Sequence, residues 1–135
     1  MVAIFSIHPN YSELILSGIK TVEFRKRRCV KPVDKIVIYA TAPVSKIVGE
    51  VSVVKETFGS LDELWPIAKR FGCLNDYSFF SYFKGKRNAV AYFLNNPRKY
   101  DRKISLFEIG IRNAPQSFCY ISDQSLEILS SLSLR

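Results

Sequence analysis

Histidine and cysteine are scarce in this sequence, and their scarcity limits the chemistry that the protein can perform. The 135 residues include one histidine, His8, and three cysteines, Cys29, Cys73 and Cys119, which are far apart and form no C-x-x-C pair. Histidine-based zinc sites and catalytic triads therefore cannot be assembled, and three reduced thiols are expected rather than a disulfide framework. We predict no metal and no cofactor, although a magnesium site made only of carboxylates stays open.

Long apolar runs are also absent. No stretch approaches the roughly 20 apolar residues that span a bilayer, so no membrane partner is expected. The N-terminal residues 1–7 are apolar from the start and lack a basic region or cleavage site, which predicts a first strand rather than a signal peptide. Hydrophobic residues make up 47% of the chain, and we expect one domain over residues 1–135, located in the cytoplasm.

Acidic residues are outnumbered, and the positive excess is unevenly placed. Lys and Arg number 20 against 12 Asp and Glu, a net charge of +8. Residues 25–35 hold six cations and one acid, and residues 84–103 hold seven cations and one acid. If the two segments meet in space, they form a patch that attracts phosphates; the alternative is two separate solvated loops.

The hydrophobic pattern predicts short strands mixed with short helices. Strands are predicted over residues 2–7, 21–25, 35–39, 46–54, 89–94 and 106–111. Helices are predicted to begin near Pro9, Ser60, Asn75 and either Ser122 or Asp123. This mixture predicts an α+β fold built on a small, partly closed barrel flanked by helices.

Local signals add detail to these elements. Asn10 with Glu13, and Ser60 with Glu63, each have the spacing of a capping box. Gly49 interrupts a branched strand and predicts a bend or bulge. The aromatic residues between positions 77 and 83 are predicted to be core rather than a stacking platform for bases.

The segment from Gly18 to Arg25 is the most distinctive in the chain. A helix is predicted to end at Gly18, and a strand to begin near Thr21, with Lys20 at the junction. Side chains alternate along a strand, so Glu23 and Arg25 share one face with Thr21. These polar residues can line a cleft, or they can form an exposed sheet face with local ion pairs.

The pattern Gly18-x-Lys20-x-x-Glu23-x-Arg25 resembles the signature of ASCH domains, which belong to the PUA-like superfamily. Residues 34–39 and 47–51 resemble the next two strands of that family. Residues 94–100 and 115–121 resemble segments of a bacterial and archaeal subgroup, with Ala114 in place of its first proline. The resemblance implies a PUA-like barrel with a cleft beside the signature, and binding of RNA.

The resemblance also implies a set of binding residues. Lys20, Glu23 and Arg25 would line the cleft, and Arg27, Arg28 and Lys31 would form its lip. Further candidates that can stack on a base or bond to it are His8, Tyr39, Gln116 and Ser117. The expected partner is single-stranded or irregular RNA; DNA and a protein partner stay open.

Three other readings of the same residues are considered. Some small ASCH proteins resemble amidohydrolases of acetylated cytidine, which use a lysine, a threonine three residues later and a glutamate. Here that threonine position holds Glu23, which can pair with Lys20 and leave it a poor base, and the scheme's glutamate is either unplaced or supplied by Glu50 or Asp76. Lys20 and Glu23 can also act as acid and base in a metal-free ribonuclease. The third alternative is a module that binds an acidic protein.

Overall fold

The centre of the protein is a mixed sheet that curls into a half-barrel. A computed structural model describes residues 1–133 and shows six strands in the order β2-β5-β4-β3-β1-β6. The strands are β1 (Val2–Ile7), β2 (Val22–Arg25), β3 (Lys35–Ala40), β4 (Lys46–Ser60), β5 (Asn88–Ile104) and β6 (Phe118–Tyr120). β1 and β3 run parallel, and the other neighbours run antiparallel. The predicted α+β fold with a partly closed barrel is confirmed.

Four helices flank the sheet, as the sequence predicts. They are α1 (Pro9–Leu16), α2 (Leu61–Phe71), α3 (Asp76–Tyr82) and α4 (Asp123–Ser133). The capping box of α2 is formed, with Ser60 Oγ accepting from the Glu63 N–H at 3.1 Å and Glu63 Oε1 accepting from the Ser60 N–H at 3.0 Å. None of the described helices is long and apolar enough to cross a membrane.

The predicted capping box at the start of α1 is wrong. The helix begins at Pro9, and the preceding residue, His8, caps it by accepting from the Asn10 N–H at 3.2 Å. Asn10 thus lies inside the first turn, where its side chain cannot serve as the cap.

Several strand predictions also need correction. β4 continues beyond residue 54 to Ser60, and the short strand β6 was not predicted. Residues 106–111 form a short 3₁₀ turn, Phe107–Ile109, ended by Gly110 at φ 82°, rather than a strand. β5 is much longer than residues 89–94, because its second half pairs with β4 although most of its side chains are exposed and polar. The bulge expected at Gly49 is confirmed as a register shift in the pairing of β4 with β5.

Apolar side chains form three clusters that follow the alternation of the strands. One lies inside the half-barrel around Phe5, and a second lies between the outer face of β3 and α4. The third joins Phe24 of β2 to Leu64 of α2 and Phe79 of α3. This third cluster fixes α3 beside β2.

The gap of the half-barrel, between the edge strands β2 and β6, is bridged by side chains. Arg25 of β2 donates to the carbonyl oxygen and to Oγ of Ser117, just before β6, both at 3.1 Å. The Tyr120 hydroxyl of β6 accepts from the Lys31 N–H at 2.6 Å and donates to the Lys31 carbonyl at 3.1 Å. We call these contacts of Arg25, Lys31, Ser117 and Tyr120 the seam.

Candidate functional site

A cleft of about 360 Å³ opens between the end of β1, the start of α1, β2 and α3. Its floor is polar and its walls are largely aromatic and aliphatic. The cleft is lined by Ser6, Ile7, His8, Tyr11, Lys20, Glu23, Phe24, Arg25, Leu74, Ser78, Phe79, Tyr82, Phe83 and Gln116.

Backbone geometry at the end of α1 places the charged floor. Gly18 has a φ of 84°, a left-handed conformation that glycine adopts without strain, so the chain reverses after the helix. The Lys20 N–H then donates to Leu14 O at 2.9 Å, and β2 begins two residues later. Glu23 and Arg25, two positions apart on β2, therefore share the face of the cleft as predicted.

The floor consists of three buried charges. Lys20, Glu23 and Arg25 expose 2%, 9% and 5% of their surfaces. The Lys20 ammonium donates to the carbonyl oxygen of Gly72, and Lys20 Nζ lies 3.6 Å from Glu23 Oε1. On the other side, Arg25 Nη2 donates to Glu23 Oε2 at 2.7 Å. One carboxylate thus lies between two cations, and the floor carries one net positive charge.

The terminal N–H groups of Arg25 all donate to other groups of the protein. Nη1 makes both bonds to Ser117, and Nη2 donates to the carbonyl oxygen of Ser6 at 3.0 Å as well as to Glu23. The guanidinium also lies over the Phe5 ring, 4.7 Å from its centroid. Arg25 therefore positions the floor and holds the seam, and these N–H groups are not available to a phosphate.

Aromatic side chains form the walls of the cleft. Phe79 and Phe83 of the α3 region are buried, as predicted for the aromatic residues between positions 77 and 83. The prediction is wrong for Tyr77, Phe80 and Tyr82, which are exposed, and Tyr82, 45% exposed, lines the cleft. Lys26 Nζ lies over the Tyr82 ring, 4.6 Å from its centroid. Across the cleft, Lys20 Nζ lies 5.1 Å from the centroid of the Tyr11 ring. Sequence analysis did not name Tyr11, and it assigned Tyr82 to the core rather than to a stacking role.

The predicted lip residues are exposed on the loop that follows β2. The side chain of Arg27 is exposed. Arg28 Nε pairs with Glu56 Oε1 at 3.1 Å, and the backbone of Lys31 bonds to Tyr120 at the seam. The Cys29 N–H donates to the buried hydroxyl of Tyr92, which donates to Cys29 Sγ. Burial raises the pKa of the Cys29 thiol, so that it stays neutral and anchors the loop.

The second cation-rich segment divides between two places. Residues 84–87 immediately precede the part of β5 that pairs with β2, where Val90 lies opposite Arg25, so they adjoin the loop after β2. Farther along β5, cations pair with acids instead: Arg98 with Glu50 and Arg102 with Glu108, each at 2.9 Å. Only the first part of this segment lies near the cleft.

Comparison with known proteins assigns this architecture to a family. Residues 5–104 match the model of the ASCH domain. The chain belongs to the ASCH domain family. It is 31% identical to an ASCH domain-containing ribonuclease of Zymomonas mobilis subsp. mobilis, over 96% of this chain and 90% of that protein.

Solved structures agree with this assignment. The crystal structure of ASCH from Zymomonas mobilis superposes with a TM-score of 0.90 at 30% identity, covering 98% of this chain and 95% of that one. Variants of that protein lacking one tyrosine hydroxyl or one serine hydroxyl match equally closely. The N-terminal domain of McrB from Staphylothermus marinus, with a TM-score of 0.61 at 13% identity over 96% and 93% of the two chains, supports the fold alone.

Not every predicted site residue of this ASCH domain lies at the cleft. His8 and Gln116 line it, and Ser117 lies beneath it as a partner of Arg25. Tyr39 does not: it is 9% exposed and packs in the cluster on the outer face of β3, together with Val37. The alternation of β3 turns this face away from the barrel interior, so the expected stacking role of Tyr39 is not supported by its position.

The carboxylates considered for an amidohydrolase scheme lie elsewhere in this ASCH domain. Glu50 belongs to a separate network, in which it accepts from Arg98 at 2.9 Å and from Tyr100 at 2.8 Å and pairs with Lys35 at 2.9 Å. Asp76 is exposed at the start of α3 and accepts from the Tyr77 N–H at 2.8 Å. Neither residue lines the cleft.

Proposed function

We propose that this ASCH domain binds RNA, with one unpaired nucleotide held in the cleft and the neighbouring phosphates held by cations around its mouth. The observation that carries the proposal is the cleft itself, which combines aromatic walls with a charged floor. Its volume of about 360 Å³ is within the range of small-molecule sites. An unstacked base needs such walls to stack on and polar groups to bond to its edge.

Tyr82 is the residue best placed to stack on the base. It is half exposed, it lines the cleft, and Lys26 lies over its ring. Base–aromatic stacking contributes about 1–3 kcal/mol per base, and a nearby cation adds attraction for the phosphates. Lys26, Arg27 and residues 84–87 supply these cations at the mouth of the cleft.

The comparisons favour RNA over other ligands. The relative from Zymomonas mobilis that aligns along nearly the whole chain is named a ribonuclease, so RNA is the ligand class that its name indicates. We expect the protein to meet RNA in the cytoplasm, because an odd number of cysteines without a C-x-x-C pair predicts reduced thiols.

The test is a titration of the protein with labelled single-stranded RNA, duplex RNA and duplex DNA at low and near-physiological salt. We expect tighter binding to single-stranded RNA, weakening with salt because bound phosphates release counterions. Tyr82→Ala should weaken this binding about tenfold or more, whereas Tyr77→Ala, on the same helix but outside the cleft and 78% exposed, should change it less than twofold. Equal, salt-sensitive binding of all three nucleic acids by both variants would contradict the proposal.

RNA cleavage is the second candidate, and the name of the Zymomonas relative is the observation that favours it. A metal-free reaction would let a ribose 2′-oxygen attack the adjacent phosphorus and expel the 5′-oxygen, leaving a 2′,3′-cyclic phosphate. Lys20 is a poor base, since its ammonium donates to Gly72 O beside the Glu23 carboxylate and has no lone pair to accept a proton. His8 is exposed at the cleft, and because its Nδ1 accepts from the Asn10 N–H, its Nε2 carries the proton and can donate to the phosphate or to the departing 5′-oxygen, while the 2′-hydroxyl proton passes to water.

Incubation of 5′-labelled RNA with EDTA present tests this candidate. Cleavage should leave cyclic phosphate ends, should stop at a position where the 2′-hydroxyl is replaced by hydrogen, and should fall about a hundredfold or more in His8→Ala. RNA that binds and stays intact would leave binding as the function.

A further inference from the structure

The floor of the cleft holds a donor and an acceptor side by side. Lys20 Nζ and Glu23 Oε1 are 3.6 Å apart, which is too long for a hydrogen bond between them. Of the three N–H groups of the Lys20 ammonium, one donates to Gly72 O. The bond from Arg25 goes to the other carboxylate oxygen, Oε2. Both residues line the cleft, and among the described residues Lys20 and Glu23 Oε1 therefore retain hydrogen-bonding capacity.

This arrangement is complementary to one edge of a nucleobase. The Watson–Crick edge presents a donor next to an acceptor, such as N3–H and O4 of uracil or N1–H and O6 of guanine. Lysine can only donate, and an ionised glutamate can only accept. When a base enters the cleft edge-first, its acceptor oxygen can bond to Lys20 and its N–H donor can bond to Glu23. In a duplex those groups already bond to the other strand, so only an unpaired base can offer them.

We propose that the Lys20–Glu23 pair reads the Watson–Crick edge of the nucleotide in the cleft, so that RNA methylated on that edge is rejected. The proposal rests on the RNA-binding function above and adds the property that decides which nucleotides are accepted. A methyl group on the ring nitrogen removes the donor for Glu23 and places an apolar group against a buried carboxylate. The lost bond is charge-assisted, and the carboxylate is left desolvated without a partner.

The probes must keep the charge of the base constant, because the floor carries a net positive charge from two cations and one carboxylate. Methylation of adenine at N1 or of cytosine at N3 makes the base cationic, so an effect of charge could not be distinguished from the loss of the Watson–Crick edge. Uracil avoids this difficulty, since 3-methyluracil and 5-methyluracil are both neutral. The first blocks the Watson–Crick edge, and the second adds the same methyl group to the opposite edge.

The experiment measures the affinity of the protein for three short single-stranded RNAs made only of uridine, 3-methyluridine or 5-methyluridine. We expect 3-methylation to weaken binding roughly tenfold to a hundredfold, and 5-methylation to change it less than about twofold. Equal affinities for the uridine and 3-methyluridine RNAs would overturn the inference and leave RNA binding intact. Failure to bind oligouridine while other RNAs bind would also overturn it. Failure of every RNA to bind would remove the proposed function itself.

Two variants connect the effect to the floor. Glu23→Gln keeps the size of the side chain but can turn a donor toward the base, so the preference for uridine over 3-methyluridine should shrink to a few fold. Tyr82→Ala should weaken both RNAs together and keep their ratio. Thermal unfolding identifies a Glu23→Gln protein that fails to fold, and the three-RNA comparison on the unaltered protein then decides alone. A full preference retained by folded Glu23→Gln would contradict the inference.

Discussion

Arg25 connects more of the site than any other single side chain described above. Its terminal nitrogens bond to Glu23 on the same strand, to Ser6 on β1 and to Ser117 beside β6. A planar fork of N–H groups can serve several acceptors at once, which an ammonium group cannot do. This geometry explains why the signature position 25 holds arginine rather than lysine.

Replacing Arg25 by lysine tests this at constant charge. We expect Arg25→Lys to lower the free energy of unfolding by about 2–3 kcal/mol, because partly buried oxygens of Ser6 and Ser117 lose their bonds to the guanidinium. Arg27→Lys, in the exposed loop, should change it by less than about 0.5 kcal/mol. Urea denaturation of both variants gives the comparison. Equal stabilities would show that the seam contributes nothing measurable.

At the residue scale, the charged floor of the site could be predicted from the sequence, but its aromatic walls could not. The convergence of Lys20, Glu23 and Arg25 follows from a glycine-ended helix and the alternation of one strand, both of which are local. Tyr82 could not be predicted in the same way, because its exposure depends on how α3 packs against β2. Tyr39 was misjudged since local alternation says which residues share a face but not which face is inside the barrel.

At the scale of elements, β4 is held to its two neighbours by Glu50. This carboxylate pairs with Lys35 of β3 and accepts from Arg98 and Tyr100 of β5. Burial by itself raises the pKa of Glu50, but the bonds from Lys35 and Tyr100 and the charges of Lys35 and Arg98 outweigh it and hold the pKa below the ordinary value of 4.5. Glu50 is thus bound more tightly to its neighbours as a carboxylate than as an acid.

The direction of this shift predicts an acid-sensitive contribution to stability. A carboxyl whose pKa is lowered by folding stabilises the folded state above about pH 4.5 and loses that effect as the pH falls through its folded pKa. Glu50→Gln should therefore lower the free energy of unfolding at pH 7 by about 1 kcal/mol and show a smaller loss between pH 5 and pH 3 than the original protein. Denaturation across this pH range measures both. Glu127→Gln, at an exposed position of α4, should follow the original protein.

Element boundaries were predictable where the signal is local. The capping residues Ser60 and Glu63 mark the start of α2, and their bonds are formed. The second half of β5 carries no such signal, because residues 95–99 are exposed and include Pro97. That half is a strand because β4 supplies its hydrogen bonds, and such a long-range partner is not visible in a sequence window.

At the scale of the whole molecule, some cations lie beside the cleft and others lie far from it, near the end of β5. Arg27 is in the exposed loop beside the cleft, whereas Lys103 lies on β5 well past Phe93, the last residue of that strand paired with β2. Each side chain carries one positive charge, so their substitutions change the net charge equally. They differ only in place.

We expect Arg27→Glu to weaken RNA binding about three- to tenfold at low salt, alike for all sequences, and to make the salt dependence shallower. Lys103→Glu should change the affinity by less than twofold. Fluorescence anisotropy over a series of salt concentrations measures both quantities. Equal losses in the two variants would mean that net charge, rather than the loop beside the cleft, attracts the RNA.

The seam also constrains the stage of synthesis at which the cleft can be completed. Arg25 and Ser117 are 92 positions apart in the chain, and Ser6 Oγ donates to Pro115 O across 109 positions. Domains fold during synthesis from the N-terminal end, and a contact cannot form before both of its segments have been made. The cleft floor thus stays incomplete until the final fifth of the chain is available. A nascent chain carries its basic loop long before it carries a finished pocket.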